Sequence, residues 1–175
     1  MSRKWFKLAS PSVALNAPNV RYPMTMSYSH TISWSASAHD IIKQKVKSTA
    51  RHLVFNCHGF AWKESFPVPH LSLGTVFHPG NVSAFDPIAQ MQALFVIWLS
   101  ACNLASSEAG TNFLRDIARH GACYVVGSMM PVGDVASPAY CVEDWSGSTP
   151  VYVDPTGRLM ARQEFLQLGT ALGFS

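Results

Sequence analysis

The chain has 175 residues, of which 48% are hydrophobic and 13% are charged, and its formal net charge at pH 7 is +3. This length suits one compact domain with a hydrophobic core, and so small a net charge gives no reason to expect nucleic-acid binding. No apolar run approaches the roughly 20 residues of a membrane span, and none of signal-peptide length follows the basic residues near the start. We therefore expect a single domain over residues 1–175 with no membrane span.

The four cysteines are Cys57, Cys102, Cys123 and Cys141. None forms a C-x-x-C pair, so the common zinc and thioredoxin spacings are absent, and no metal or organic cofactor is indicated. Cys57 and Cys123 lie in apolar runs that are typical of buried thiols. This usage favours a cytoplasmic, reducing setting, or export of the folded chain without a cleavable signal.

The first third of the chain begins weakly patterned and becomes regular. Residues 1–36 are rich in Ser, Pro and Asn, and form either an N-terminal extension or diverged first strands of the domain. Within them, apolar and polar side chains alternate over 24–28, which indicates one strand. Ser37 then precedes an amphipathic pattern that predicts a helix over about 38–50.

The next segment opens with a short apolar run at 52–57, which predicts a buried strand. This strand ends at His58-Gly59. Beyond it, the pattern predicts a strand over 71–77, a turn at Pro79-Gly80, and a helix capped by Asp86 that runs to about residue 92.

Two further apolar runs, at 93–99 and 122–127, predict two more buried strands. Between them, the residues from 107 to 120 form the clearest amphipathic helix, with Gly121 as its expected C-terminal stop. Residues 129–150 have the composition of a loop. The chain is then predicted to form a hairpin around the turn Asp154-Pro155-Thr156-Gly157, followed by a last helix over 161–168.

Helices that alternate with continuously apolar strands predict an α/β fold. Its expected form is a three-layer sandwich, with a mostly parallel central sheet and helices on both faces. Active sites in open α/β sheets lie beyond the carboxyl ends of the strands. His58, Cys102 and Ser128 all follow or close predicted strands, so the site is expected at this edge.

His58 and Cys102 together have the chemistry of a thiol nucleophile and its base. A neighbouring imidazolium favours the thiolate, which is the reactive form of cysteine. Gly59 has no Cβ and allows close backbone approach, so the amides of Gly59 and Cys102 are candidates for an oxyanion hole. A lone cysteine at a strand end is, however, more often a small buried hydrophobe.

Two motifs resemble those of clan CD cysteine peptidases, the group of caspases, metacaspases, separase, gingipains and bacterial CHAT domains. Residues 53–59 resemble the apolar strand followed by His-Gly, and residues 97–105 resemble the strand followed by Cys. The second motif is nearest the CHAT form, Leu-Ser-Ala-Cys, and 121–128 continues that pattern, so the match covers about 50–135.

The resemblance implies a caspase-like core and a bacterial cysteine endopeptidase that needs no cofactor. His58 would be the general base and Cys102 the nucleophile that forms an acyl-enzyme on a protein or peptide substrate. Asn103 stands where caspases carry a different residue, so aspartate specificity is not implied. Nothing in the sequence resembles a processing linker between two subunits.

The substrate pocket and the function class remain open at this point. Ser100 either shapes the pocket or caps the loop, and Asp134 either receives a basic P1 side chain or is a solvated loop charge. Trp62, Phe66 and Phe77 either form an apolar rim or pack in the core.

The alternatives to a peptidase are a binding or scaffold domain on the same fold, and another thiol enzyme such as an acyltransferase or deamidase. In those enzymes Cys commonly precedes His, whereas here His comes first. The low share of charged residues leaves apolar surface for a partner protein or a second copy of the chain.

Overall fold

The computed structural model describes residues 12–18, 28–46, 50–91, 96–130 and 149–168. The strands in these ranges are β1 (Ser12–Asn16), β2 (Tyr28–Thr31), β3 (His52–Asn56), β4 (His58–Phe60), β5 (His70–Ser72), β6 (Val76–Phe77), β7 (Val96–Ser100), β8 (Tyr124–Ser128), β9 (Pro150–Val153) and β10 (Leu159–Met160). The α-helices are α1 (Ala38–Lys45), α2 (Asp86–Ala89), α3 (Glu108–Gly121) and α4 (Arg162–Gln167), and Pro79–Phe85 is a 3-10 helix.

A seven-stranded sheet forms the centre, in the order β10-β9-β8-β7-β3-β1-β2. The five strands β8, β7, β3, β1 and β2 run parallel to one another, and β9 and β10 are antiparallel additions next to β8. The three buried strands predicted from apolar runs are β3, β7 and β8, which lie side by side. The prediction of a mostly parallel sheet is therefore confirmed.

The sheet buries apolar side chains on both faces because successive residues of a strand point in opposite directions. Phe55 and Leu99 belong to one cluster, which also contains Ile41 of α1 and Phe113 of α3. Val54, Trp98 and Val126 belong to the other cluster, together with Phe165 of α4. Helices thus pack on both faces, an arrangement consistent with the predicted three-layer α/β sandwich.

A second, antiparallel sheet of three short strands has the order β4-β5-β6. One strand was expected over 71–77, but the chain forms β5 and β6, separated by a turn. The physical reason is Gly74, whose φ is +88° and where a Cβ would lie 2.7 Å from the carbonyl oxygen of Ile32. A left-handed residue of this kind ends a strand, so the single-strand prediction was wrong.

Several helix boundaries also differ from expectation. The Ser37 side chain caps α1 by accepting from the Asp40 amide at 3.2 Å, but the helix ends at Lys45 because Val46 is extended. Pro79 opens a 3-10 helix rather than an isolated turn, and α2 follows it directly, with Phe85 at the cap position in place of Asp86.

The long helix α3 begins as predicted, with Ser107 accepting from the Gly110 amide at 3.0 Å. Its end differs, because the left-handed residue is Ala122, with φ of 48°, and Gly121 is still helical. The predicted hairpin is β9–β10, in which Val153 pairs with Leu159, and the predicted last helix is α4.

The N-terminal region contributes two strands to the main sheet, and β1 lies between β3 and β2. β1 was not predicted, and β2 begins at Tyr28, while residues 24–27 lie outside the described residues. Within the described part of the chain, no helix has both the length and the apolar character that crossing a membrane requires.

Candidate functional site

The site is defined by the carboxyl ends of two neighbouring parallel strands. Asn56 at the end of β3 pairs with Ser100 at the end of β7, and the Cys57 amide donates to the Ser100 carbonyl at 3.3 Å. His58 and Cys102 each follow that matched pair by two residues. The two residues predicted to carry the chemistry therefore lie at the carboxyl ends of adjacent strands, each two residues beyond the last paired residue of its strand.

His58 leaves the main sheet and immediately begins β4 of the small sheet. It pairs with Ser72 of β5, and its side chain is exposed. Cys102 is half-buried in the loop that follows β7. The Ala101 amide donates to the Leu99 carbonyl at 2.8 Å, a tight turn that ends the strand just before the thiol.

Gly59 fits closely against the backbone on either side of Cys102. A Cβ at Gly59 would lie 2.6 Å from the Cys102 carbonyl oxygen and 2.8 Å from the Ala101 Cβ. Real Cβ contacts do not occur at such distances, so a side chain here would push β4 away from the loop that contains Cys102. The residue type at 59 thus determines how near the His58 backbone lies to Cys102.

Burial distinguishes the three cysteines that the structure describes, all of which are thiols. Burial raises the pKa of Cys57 far above its ordinary value, and the nearby charge of Cys102 raises it further. Burial alone raises the pKa of Cys123 to about 12. Neither buried thiol supplies a thiolate at neutral pH, whereas Cys102 is partly accessible to a substrate.

The remaining predicted site residues have different outcomes. Ser100 is the last residue of β7, and its carbonyl helps to hold the ends of β3 and β7 together. Ser128 is fully buried at the end of β8, where its hydroxyl donates to the Met130 carbonyl at 2.8 Å. Asp134, predicted to bind substrate, lies outside the described residues.

Sequence reasoning missed a buried amide pair at this edge. Asn16 closes β1 and Asn56 closes β3, and the Asn56 side-chain amide donates to Asn16 Oδ1 at 2.9 Å. Both residues are at most 4% exposed. A polar residue that closes an apolar strand was the available signal, but pairing the two requires knowing that β1 and β3 are neighbours.

An aromatic cluster lies on the small sheet beyond His58. Phe60 stacks on His70 at 4.9 Å between ring centroids, and Phe66 meets the same imidazole edge-on. His70 Nδ1–H donates to the Val68 carbonyl at 2.7 Å.

Of the three aromatic residues considered for an apolar rim, Trp62 is 62% exposed, Phe66 is half-buried and Phe77 is fully buried. Only Trp62 and Phe66 therefore remain available to a substrate, while Phe77 packs against Phe55 and Phe85 in the core.

Known proteins give no further guide to this site. Comparisons with protein-family models, curated proteins and solved structures find no match to the chain. Among the described residues, no group of three or more His, Cys, Asp or Glu side chains could hold a metal ion.

Proposed function

We propose that the chain is a cysteine peptidase with a caspase-like core, in which His58 is the general base and Cys102 the nucleophile. The observation that carries the proposal is the register of β3 and β7. Asn56 pairs with Ser100, so a histidine and a cysteine follow at equivalent steps on adjacent parallel strands. Nucleophile and base within reach of each other are the basic requirement of thiol catalysis.

The reaction begins when His58 takes the proton from Cys102 Sγ and the thiolate attacks the substrate carbonyl carbon. The carbonyl oxygen becomes an oxyanion, which accepts hydrogen bonds from the amides of Gly59 and Cys102. The C–N bond then breaks, the leaving amine takes its proton from His58, and a thioester remains. Water, deprotonated by His58, attacks the thioester and releases a carboxylic acid and the thiol.

Accessibility supports the choice of Cys102 over the other described thiols. Cys57 and Cys123 are 5% and 1% exposed, and burial raises the pKa of each. A group that stays protonated and enclosed cannot attack a peptide. Cys102 follows the carboxyl end of β7 and is half-buried, and His58 follows the carboxyl end of β3 and is exposed, so an extended substrate approaching this end of the sheet could reach both.

The decisive experiment is labelling with a peptide-based acyloxymethyl ketone, followed by mass mapping of the modified residue. We expect the label on Cys102, no label in Cys102→Ala, and at least a hundredfold slower labelling in His58→Ala, in line with loss of a catalytic base. Cys141→Ala is the control, because it removes a thiol that has no proposed role.

Two outcomes would favour the alternatives instead. A folded wild-type protein that is neither labelled nor able to cleave any peptide in a diverse library would point to a binding or scaffold domain. Labelling at Cys102 with transfer to an added amine, or loss of ammonia from glutamine, but no peptide cleavage, would point to an acyltransferase or deamidase.

The proposal includes a preference for a basic residue at P1. Asp134 belongs to the segment after β8, a strand that ends at the same sheet edge as β3 and β7. A carboxylate facing an arginine forms a charge-assisted, often bidentate pair. A fluorogenic panel that varies only P1 tests this preference. Cleavage after Leu or Asp but not after Arg or Lys would disprove it, as would full activity of Asp134→Asn on an Arg substrate.

A further inference from the structure

The peptide group that joins Cys102 to Asn103 is held on both sides. Its carbonyl oxygen, from Cys102, lies against Gly59, the middle residue of β4. Its N–H, from Asn103, donates to the Met130 carbonyl just beyond β8 at 3.2 Å. The orientation of this one peptide group therefore depends on both neighbouring segments.

Asn103 itself has a backbone conformation that few residues adopt. Its φ is +56°, in the left-handed region, where a Cβ clashes with the neighbouring carbonyl oxygen. Asparagine tolerates this region better than other residues with a Cβ, glycine adopts it freely, and β-branched residues avoid it.

The loop after Asn103 is fixed in the same way. The Ser106 amide and hydroxyl both donate to the Asn103 carbonyl, at 3.1 and 2.8 Å, and the Ala105 amide donates to the Ser128 carbonyl at 2.9 Å. On the side of the loop that faces α3, Gly110 packs so closely against the Leu104 carbonyl oxygen that a Cβ at position 110 would not fit. The loop is therefore held between β8 and α3.

From these contacts we infer that Asn103 is a positioning residue for the nucleophile. Its left-handed backbone turns the chain immediately after Cys102, so that the Cys102 carbonyl faces Gly59 while the Asn103 amide reaches Met130. This arrangement fixes Cys102 relative to His58, which precedes Gly59. The inference rests on the proposed function, since it assigns Asn103 a role in the geometry of the His58–Cys102 pair.

The test compares two substitutions that differ in their tolerance of the left-handed region. Asn103→Gly keeps the backbone conformation and removes the side chain, so kcat for peptide hydrolysis is expected to stay within about threefold of the wild type. Asn103→Val disfavours the conformation, and kcat is expected to fall by about a hundredfold with KM nearly unchanged, because the nucleophile is displaced and the binding surface is not.

Ala122 provides a matched control for loss of stability. It is the left-handed residue at the end of α3, with φ of 48°. It precedes β8 and so lies near the amino ends of the parallel strands, whereas Cys102 lies near their carboxyl ends. Ala122→Gly and Ala122→Val repeat the same pair of substitutions away from Cys102. Ala122→Val is expected to lower the melting temperature while leaving kcat unchanged.

Two results of the kinetic comparison would overturn the inference. If Asn103→Gly lost as much kcat as Asn103→Val, the side chain rather than the backbone would matter. If Asn103→Val kept full kcat, the conformation would not matter for catalysis. Should Asn103→Val fail to fold, Asn103→Ala takes its place, with a smaller loss of kcat expected.

A second readout separates this inference from the peptidase proposal. The rate at which iodoacetamide alkylates Cys102 is measured against pH, which requires no peptide cleavage. We expect the profile to move in Asn103→Val and to stay in place in Asn103→Gly. If the wild type cleaves nothing, the peptidase proposal fails, and the alkylation profile still decides whether Asn103 positions the thiol. An unchanged profile in Asn103→Val would disprove the inference.

Discussion

At the scale of single residues, the first prediction concerns the reactivity of the thiols. Cys102 should react with iodoacetamide at pH 7 faster than Cys57 or Cys123, because burial raises the pKa of both of these and keeps them as thiols. Mass spectrometry of tryptic peptides after brief alkylation measures the three rates in one sample. Faster labelling of Cys57 than of Cys102 would contradict the prediction, and Cys102→Ser provides the control.

A second residue-scale prediction concerns Gly59. Gly59→Ala would place a Cβ 2.6 Å from the Cys102 carbonyl oxygen, so β4 and the loop that contains Cys102 must separate. Peptide hydrolysis should fall by at least tenfold, since small displacements of reacting groups are costly, while circular dichroism still shows the fold.

The control for this substitution is Gly80→Ala, because the nearest atoms to the added Cβ would belong to the side chain of His78 and not to backbone near Cys102. Its activity should stay near that of the wild type. Equal loss of activity in the two variants would refute a specific role of the contact between Gly59 and Cys102.

Sequence patterns locate His58 and Cys102 because each follows a continuously apolar run, and the end of such a run can be seen without knowing the fold. The left-handed backbone of Asn103 cannot be seen in this way. Asparagine also occurs in ordinary loops, and the hydrogen bonds to Met130 and from Ser106 that accompany its conformation cannot be recognised in the sequence. Residues that act through tertiary contacts therefore stay hidden at the sequence level.

At the scale of elements, the length and composition of each strand determine what could be predicted. β3 and β7 consist largely of big apolar residues, and even the fully buried His52 is accommodated because the Trp98 indole N–H donates to its Nδ1 at 3.2 Å. β1 is equally buried but mixes Ser, Ala and Asn with two larger residues. Its pattern does not differ from that of a loop, so it was missed.

The buried amide pair between β1 and β3 gives the third prediction. Asn16→Ala would leave the Asn56 amide without the acceptor that it now has at 2.9 Å. An unsatisfied buried polar group costs about 1–3 kcal/mol, so the free energy of unfolding should fall by that amount in a urea titration.

A double-mutant cycle isolates this interaction from other effects of the two residues. Asn16→Ala combined with Asn56→Ala should cost less than the sum of the two single variants, because the second substitution removes a group that has already lost its acceptor. Strict additivity of the two variants would show that the amide hydrogen bond contributes nothing to the joining of β1 and β3.

The turn between β9 and β10 gives the fourth prediction, which concerns pH. Burial works against the charged form of Asp154, but hydrogen bonds from Thr156 and Arg158 outweigh burial and lower its pKa below the ordinary 3.8. A hydrogen bond from Arg158 likewise lowers the pKa of Glu164 in α4. Arg158 therefore joins the hairpin to α4 through two carboxylates, with N–O distances of 3.1 and 2.9 Å.

A carboxyl group whose pKa is lowered by folding stabilises the folded state above its unfolded pKa and loses this contribution as pH falls through the folded value. Asp154→Asn should therefore reduce stability at pH 7 by about 1–2 kcal/mol. The difference from the wild type should shrink as pH falls below about 4, the ordinary range of carboxyl groups. Thermal unfolding from pH 7 to 2.5 measures it, and a difference that is constant with pH would contradict this account.

At the scale of the whole molecule, the strand order places the candidate site at the most supported part of the sheet. β3 and β7 are central, with β1 on one side and β8 on the other, and the middle residues of both strands, 53–55 and 97–99, are buried. Among the described strands, the two at the edges, β2 and β10, each have a single neighbour. The proposed chemistry would thus be carried by loops that begin from rigid strands, which is the usual division between scaffold and site.

This arrangement predicts a gradient of amide hydrogen exchange across the sheet. Amides of 53–55 and 97–99 lie in strands paired on both sides, so they should exchange only when the whole domain unfolds. Leu159 and Met160 in β10 should exchange much faster through local opening, since Leu159 is 47% exposed and β10 pairs with only one of the strands that the structure describes. Exchange followed by mass spectrometry at several denaturant concentrations separates local opening from global unfolding.

The variant Asp154→Asn makes this last prediction sharper. It removes the charge that joins the β9–β10 turn to Arg158, so exchange in β10 and α4 should accelerate at low denaturant through easier local opening. The free energy of global unfolding is slightly lower in this variant. The exchange rates of the amides in β3 and β7 should change only by the amount that this difference produces. If the central strands were instead to exchange by local opening in the wild type, or as fast as β10, the sheet would not be the rigid support that the proposed His58–Cys102 site requires.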